Sequence, residues 1–355
     1  VTLSSHILPG AAARILDVQN SNGAIPWMEG GALDPWNHTE AAMALSAAGY
    51  VRQAEKAYDF LRHTQLPDGA WWGEYGNAVP MEDYTHLART RPPRALDSNF
   101  IAYVATGVWH HYLATRQRKF LKQNWSMVRR AMDFVLCLQR ETGDIAWCLG
   151  IDGQPADDAL VAGCCSIYKS LGAAIAIGET LGTDAALLDI WARARRALGR
   201  ALVRKPQLFD RQGLSNKRFS MDWYYPVLTG VLRGRVARAR LAACWDAFVI
   251  EGLGCRCVRD QPWVTVAESC ELSMALLTIG EKTRAQELFG WQRQWRAENG
   301  AYWMGYQYEE NIIWPEEQPA WTSAAMILAA DAFNEASATQ LLFARHAPAS
   351  VLDPA

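Results

Sequence analysis

The stretch Lys56–Trp71, "KAYDFLRHTQLPDGAW", decides how the rest of the chain is read. Ala57, Tyr58, Phe60 and Leu61 fall on one side of an amphipathic helix. Gln65 closes the run, Asp68-Gly69 turns the chain, and Trp71 follows. The same order recurs as Gln19, Gly23 and Trp27, and again as Gln139, Gly143 and Trp147. A looser copy is Gln294, Gly300 and Trp303, and degenerate versions end at Gly213 and Gly254. Recurrence of one unit points to a repeat architecture. In each copy the glycine supplies the left-handed residue that stops a helix.

Helical periodicity between these marks predicts twelve helices. They run over 4–19, 38–49, 51–66, 97–115, 118–140, 158–182, 184–203, 222–234, 235–250, 264–280, 282–297 and 316–336. No alternating run long enough for a strand competes with them. Short links within pairs and long aromatic-rich loops between pairs describe six helical hairpins. Six hairpins close into an all-α (α/α)6 barrel, an inner ring of helices inside an outer ring. The barrel is expected to occupy residues 1–340 as one domain, with a tail at 341–355.

Composition narrows the function. The 35 Lys and Arg nearly balance the 37 Asp and Glu, for a net charge of −2. No basic face for nucleic acid is implied. Neither a transmembrane run nor a basic-then-apolar leader is evident, so a soluble, cytoplasmic protein is expected. The eight cysteines include several inside apolar helical stretches such as "DFVLCLQ" and "LAACWDAF", a usage that fits a reducing compartment. Sixteen Trp, twelve Tyr and ten Phe, many in predicted loops, suit an aromatic-lined cavity.

The repeat resembles the QW repeat of squalene–hopene and other triterpene cyclases. The α/α toroid superfamily to which those belong also holds protein prenyltransferase β subunits and six-hairpin, glucoamylase-like glycosidases. The Asp-x-Asp-Asp motif of the cyclases is absent; the nearest segment is "PADDAL", with Asp157 and Asp158. The zinc segment of the prenyltransferases is matched in frame by Val161–Tyr168, but Ala162 stands where their ligand Asp would be. Cys164 and Cys165 are therefore read as helix packing, and no metal or other cofactor is expected.

The glycosidase resemblance reaches further. "LDSNFIAYVATGVWHHYLATRQRKFLKQNWSMVRRAMDFVLCLQ" is similar to a helix pair of those barrels, and "IIWPEEQPAWTSAAMILAADAF" to their last hairpin. The resemblance implies that Glu316 or Glu317 is the catalytic base. It places the acid after the third repeat, where this chain has Asp157 and Asp158.

A second line of reasoning needs no family. The six expected inner-helix starts carry Asp34, Trp36, His38 and Glu40; Asp97 and Asn99; Asp157 and Asp158; Asp222, Trp223, Tyr224 and Tyr225; Glu268 and Glu271; Glu316 and Glu317. Acids at helix starts also serve as caps. Caps, however, need no aromatic neighbours, whereas sugars bind on aromatic platforms among carboxylates. The expectation is an inverting glycoside hydrolase-like enzyme, with Trp36, Trp223, Tyr224, Trp303, Tyr306 and Trp314 holding a small-molecule sugar substrate. The alternative is an isoprenoid cyclase or prenyltransferase-like toroid that lacks the usual motifs.

Overall fold

The computed structural model describes residues 7–76, 95–211 and 218–344. Its principal helices are α1 (Ile7–Val18), α2 (Pro35–Ala47), α3 (Val51–Thr64), α4 (Ser98–Thr115), α5 (Arg118–Cys137), α6 (Val161–Leu181) and α7 (Ala185–Arg204). They continue as α8 (Ser220–Leu228), α9 (Gly234–Ala243), the single turn α10 (Trp245–Phe248), α11 (Val266–Thr278), α12 (Lys282–Trp291) and α13 (Ala320–Ala332). Helices α2, α4, α6, α8, α11 and α13 pack each against the next, and α13 returns to α2. This closed inner ring is wrapped by α3, α5, α7, α9 and α12, with α1 supplying the outer partner of α13. The fold is an all-α (α/α)6 barrel.

The two rings differ because their surroundings differ. Outer helices such as α3 and α5 bury one stripe and leave charged residues outside. Inner helices are covered on nearly every side; in α13 all but Trp321 and Asp331 are buried. Helix α6 is long and apolar enough to cross a membrane by length and composition, yet it packs on α4, α7 and α8 as an inner-ring helix.

The repeat fastens one outer helix to the next. Gln65 Nε2 donates to Gly69 O and to Met127 O on α5, both at 2.9 Å. Gln19 Nε2 reaches Gly23 O and Gln53 O on α3, at 3.2 and 3.0 Å. Gln139 Nε2 reaches Gly143 O and Ala194 O on α7, both at 3.0 Å. The repeat glycine must be glycine: Gly69 has φ +96°, and a Cβ there would lie 2.3 Å from Arg130 O. The looser copy departs from this pattern, because Gln294 Nε2 donates to Gly252 O and Trp291 O instead of Gly300. The degenerate copy at Gly213 lies outside the described residues.

Strands were not expected, and the described residues form seven short ones. β1 (Leu96–Asp97) pairs with β2 (Cys148–Leu149). β3 (Val249–Ile250), β4 (Gly254–Arg256), β5 (Trp263–Thr265), β6 (Gly305–Gln307) and β7 (Ile312–Ile313) form one antiparallel sheet in that order. Val264 faces Tyr306, which faces Ile313. With two or three residues each, these strands carry no period of their own and exist through pairing between loops. The five-stranded sheet sits where the loops enter α11 and α13, and so builds one side of the barrel mouth. Leu342 and Phe343, assigned above to the tail, are buried in the core; residues 345–355 lie outside the described residues.

Candidate active site

Inner helices begin at the mouth, so their first turns aim side chains at a shared space. Between the starts of α4, α6 and α8 lies a pocket of about 210 Å³, walled on its other sides by Trp36 of α2 and Trp147 of the third repeat loop. Asp97 Oδ1 caps α4 by accepting from Phe100 N at 3.0 Å. Asp222, in the first turn of α8, accepts from Ala162 N at 3.4 Å. Asp210 has φ +50°, and its carboxylate accepts from Val161 N at 3.3 Å. Asn99 is 4% exposed and lines the pocket, yet neither end of its amide has a hydrogen-bond partner. A buried polar group left unsatisfied costs about 1–3 kcal/mol. Here both a donor and an acceptor wait in the pocket wall. The remaining wall is largely apolar, with Phe100, Ile145, Leu160, Ile167 and Met221.

A second group of carboxyls lies towards the barrel axis. Glu40 Oε1 accepts from Trp36 Nε1 at 2.8 Å and from Tyr103 OH at 3.1 Å. Glu271 accepts from Tyr224 OH and, at 2.6 Å, from Tyr225 OH. Burial pushes the Glu40 carboxyl up to about 7, and the nearby Asp34 and Glu268 charges add to the shift. Burial and Glu40 likewise hold Glu271 well above the ordinary range. Both line an enclosed chamber with room for about one water (about 10 Å³), shared with Tyr103, Ser166, Lys169 and Tyr225. Burial lowers the Lys169 ammonium to about 7.

Of the side chains expected to bind substrate, Trp36, Asp97, Asn99 and Asp222 meet in the mouth pocket. Glu40 and Tyr224 belong to the axial group, and Glu268 stands beside it, hydrogen-bonded to the Cys257 thiol. Others are committed to the frame. Asp34 caps α2 through Asn37 N at 2.9 Å and accepts from Trp27 Nε1 at 2.8 Å. His38 is fully buried, with Nδ1 accepting from Ile25 N and Nε2 donating to Ala57 O; burial lowers its pKa to about 4. Trp223 turns outward, stacks on Phe248 and donates to Arg240 O.

The four residues expected to be catalytic are spread along the rim. Asp158 is buried, its Oδ1 accepting from Ala159 N and Arg211 N, which fastens two loops together. Asp157 is exposed and holds Arg211 through its backbone carbonyl. Glu316 is exposed and Glu317 half-buried, on the segment that enters α13. Trp303, Tyr306 and Trp314 sit on the sheet side of the mouth. There Tyr306 stacks on Trp295, and Trp314 shares a groove of about 300 Å³ with Trp263, Gln261 and Gln307.

Sequence reasoning missed Trp147, Asp210 and Tyr103 as site residues, and named Tyr225 and Glu271 at inner-helix starts without giving either a binding role. Trp147 was visible as the aromatic of the third repeat; Asp210 and Tyr103 carried no local signal. The segment resembling a zinc site forms the first turns of α6. There Cys164 donates to Ile145 O at 3.5 Å, and burial raises its thiol to about 12. No group of three metal-binding side chains converges among the described residues.

No protein-family model matches the chain. The barrel superposes on a glycosidase variant solved with glucose, TM-score 0.66 at 15% identity, covering 93% of this chain and 98% of that one. It also superposes on the GH63 mannosylglycerate hydrolase of Thermus thermophilus in complex with glucose, TM-score 0.63 at 12% identity, covering 90% and 99%. Those likenesses establish the fold. In sequence, the chain is 46% identical over 323 residues to the MMP endo-(1,4)-3-O-methyl-alpha-D-mannosidase of Mycolicibacterium hassiacum, covering 91% of this chain and 85% of that enzyme. The isoprenoid alternative finds no such relative here. The chain is a glycoside hydrolase and belongs to the family of that mannosidase.

Proposed function

We propose that this enzyme cuts α-(1,4) bonds within chains of 3-O-methylated mannose, and that the pocket between α4, α6 and α8 holds one sugar of the chain. The observation that carries this reading is Asn99, buried in the pocket wall with its amide unpartnered. A sugar offers the hydroxyls that such an amide lacks. Trp36 and Trp147 supply flat faces, and Asp97 and Asp222 supply acceptors. The apolar remainder of the wall suits a methyl ether, which donates no hydrogen bond. Burying one methyl group contributes about 0.8 kcal/mol. The relative's printed name, an endo-acting 3-O-methylmannosidase, points to the same substrate class.

For the chemistry, Asp222 is the proton donor and Glu317 the base. Asp222 takes the place of Asp157 or Asp158 because it lines the pocket, whereas the Asp158 carboxylate binds two loop amides. Glu317 keeps the role expected of Glu316 or Glu317, being the more enclosed of the two. Asp222 protonates the leaving glycosidic oxygen while Glu317 takes a proton from the water that attacks the anomeric carbon. The two stand on α8 and at the entrance of α13, with α11 between them in the ring. An inverting enzyme needs a gap of roughly 6.5–9.5 Å between the two carboxyls, room for the attacking water. Eight free thiols, five of them buried, support the reading of a cytoplasmic protein.

The test is hydrolysis of α-(1,4)-mannose oligosaccharides with and without 3-O-methyl groups, the anomer of the first product being read by NMR. Faster cutting of the methylated chain, with inversion, is expected. Cleavage that ignores the methyl groups, or undiminished activity of Asp222→Asn, sinks the assignment.

A further inference from the structure

The Trp36 indole stands between the two cavities. One side of the residue lines the mouth pocket. Its Nε1 donates to Glu40, which lines the axial chamber beneath. The ring is braced by Phe100, Tyr103 and Tyr225, with centroids 5.7, 5.5 and 5.9 Å away. These tilted and edge-on contacts pack the ring without a directional bond. The hydrogen bond to Glu40 is the directional contact that fixes where the indole stops. Tyr103 OH donates to the same Glu40 oxygen, so the acceptor is itself held in place.

We propose that Glu40 is a positioning residue: by accepting from the Trp36 indole it fixes the ring as the partition between sugar pocket and axial chamber, and so sets sugar affinity without touching the sugar. The proposal rests on the reading that the mouth pocket binds a sugar.

The charge state of Glu40 gives this device a pH dependence. The groups facing it are Asp34 on its own helix's N-cap, Tyr103 from α4, Lys169 from α6, Tyr225 from α8, and Glu268 and Glu271 from α11; α13 contributes only Ala325 and Leu328. Protonated, Glu40 is a neutral acceptor among these acids. Ionised, it accepts more strongly from the Trp36 indole and the Tyr103 hydroxyl, and the partition tightens, although burial and the neighbouring acids oppose the charge. Burial places the change at about 7, so affinity is expected to rise as pH rises through that value.

Two measurements test this. In the ¹⁵N–¹H spectrum of the whole protein, the indole signal lost in Trp36→Phe is that of Trp36. In the wild type it should shift with pH around 7, and in Glu40→Gln, which accepts but cannot ionise, it should stay still. On the methylated oligosaccharide, Glu40→Ala should raise KM about tenfold while kcat changes less than twofold. Glu40→Gln should restore KM and flatten its pH dependence. A Trp36 indole signal that ignores both pH and Glu40→Gln overturns the proposal. So does a Glu40→Ala variant whose only change is a lower Tm. If the wild type leaves the oligosaccharide uncut, the functional reading falls and the indole titration alone decides the present one.

Discussion

Replacing Gln65 by Ala removes the three bonds that join the end of α3 to its own turn and to α5. The side-chain amide donates to Gly69 O and Met127 O at 2.9 Å each and accepts from the Arg130 guanidinium; Met127 O keeps its helical partner within α5, whereas Gly69 O loses its side-chain donor. At about 1 kcal/mol net per hydrogen bond, the loss of three is about 3 kcal/mol. For a chain of 355 residues this corresponds to a fall in Tm of about 3–4 °C. The assay is thermal unfolding by circular dichroism, checked by urea midpoints at unchanged slope. Gln19→Ala acts at a separate joint, so the double variant should show the sum of the single losses. A Gln65→Ala protein that melts within about 1 °C of the wild type would refute the fastening role.

Asp222→Asn and Glu317→Gln should each lower kcat by about 10²–10⁴-fold while leaving Tm near wild type, measured by sugar release from the methylated oligosaccharide. Asp158→Asn should instead lower Tm and spare most activity, because its carboxylate binds loop amides. Asn99→Leu should hold or raise Tm by removing a buried unpaired amide, and should weaken sugar binding measured by calorimetry. His38 has a folded pKa lowered to about 4, so the unfolded chain takes up its proton first as pH falls from about 6.5. Stability present above about 6.5 is then lost down to about 4, by about 3 kcal/mol relative to His38→Phe, read from urea unfolding at each pH.

The helices were legible because two local signals agreed, apolar spacing inside each element and Gln–Gly at its end. Gln65 and Gln139 illustrate this, since each bonds within its own turn before it reaches the neighbouring helix. The short strands were not legible: Val264 meets Tyr306 across some forty intervening residues, and nothing near either announces the other. The site was half legible. That inner-helix starts carry the polar chemistry followed from the barrel, and Trp36, Asp97, Asn99 and Asp222 do converge. Which way a polar side chain turns was beyond reach. His38 and Asn99 are equally buried polar residues near helix starts, but one binds the backbone of the outer ring and the other faces the pocket. That difference depends on the neighbours of each helix, which spacing along the chain does not encode.

One hairpin of the ring is built from both ends of the chain, with α1 lying outside α13. The other five can form as the chain leaves the ribosome, each inner helix meeting the outer helix that follows it. The sixth is a seam, and it cannot be sewn until residue 332 has been made. Until then α2 and α11 face an open slot, and α1 has nowhere to lay its apolar stripe. A chain shortened before α13 should therefore aggregate instead of persisting as a smaller ring. Moving the seam by circular permutation, with new ends in the loop between α12 and α13, would keep every contact of the barrel while changing which hairpin closes last.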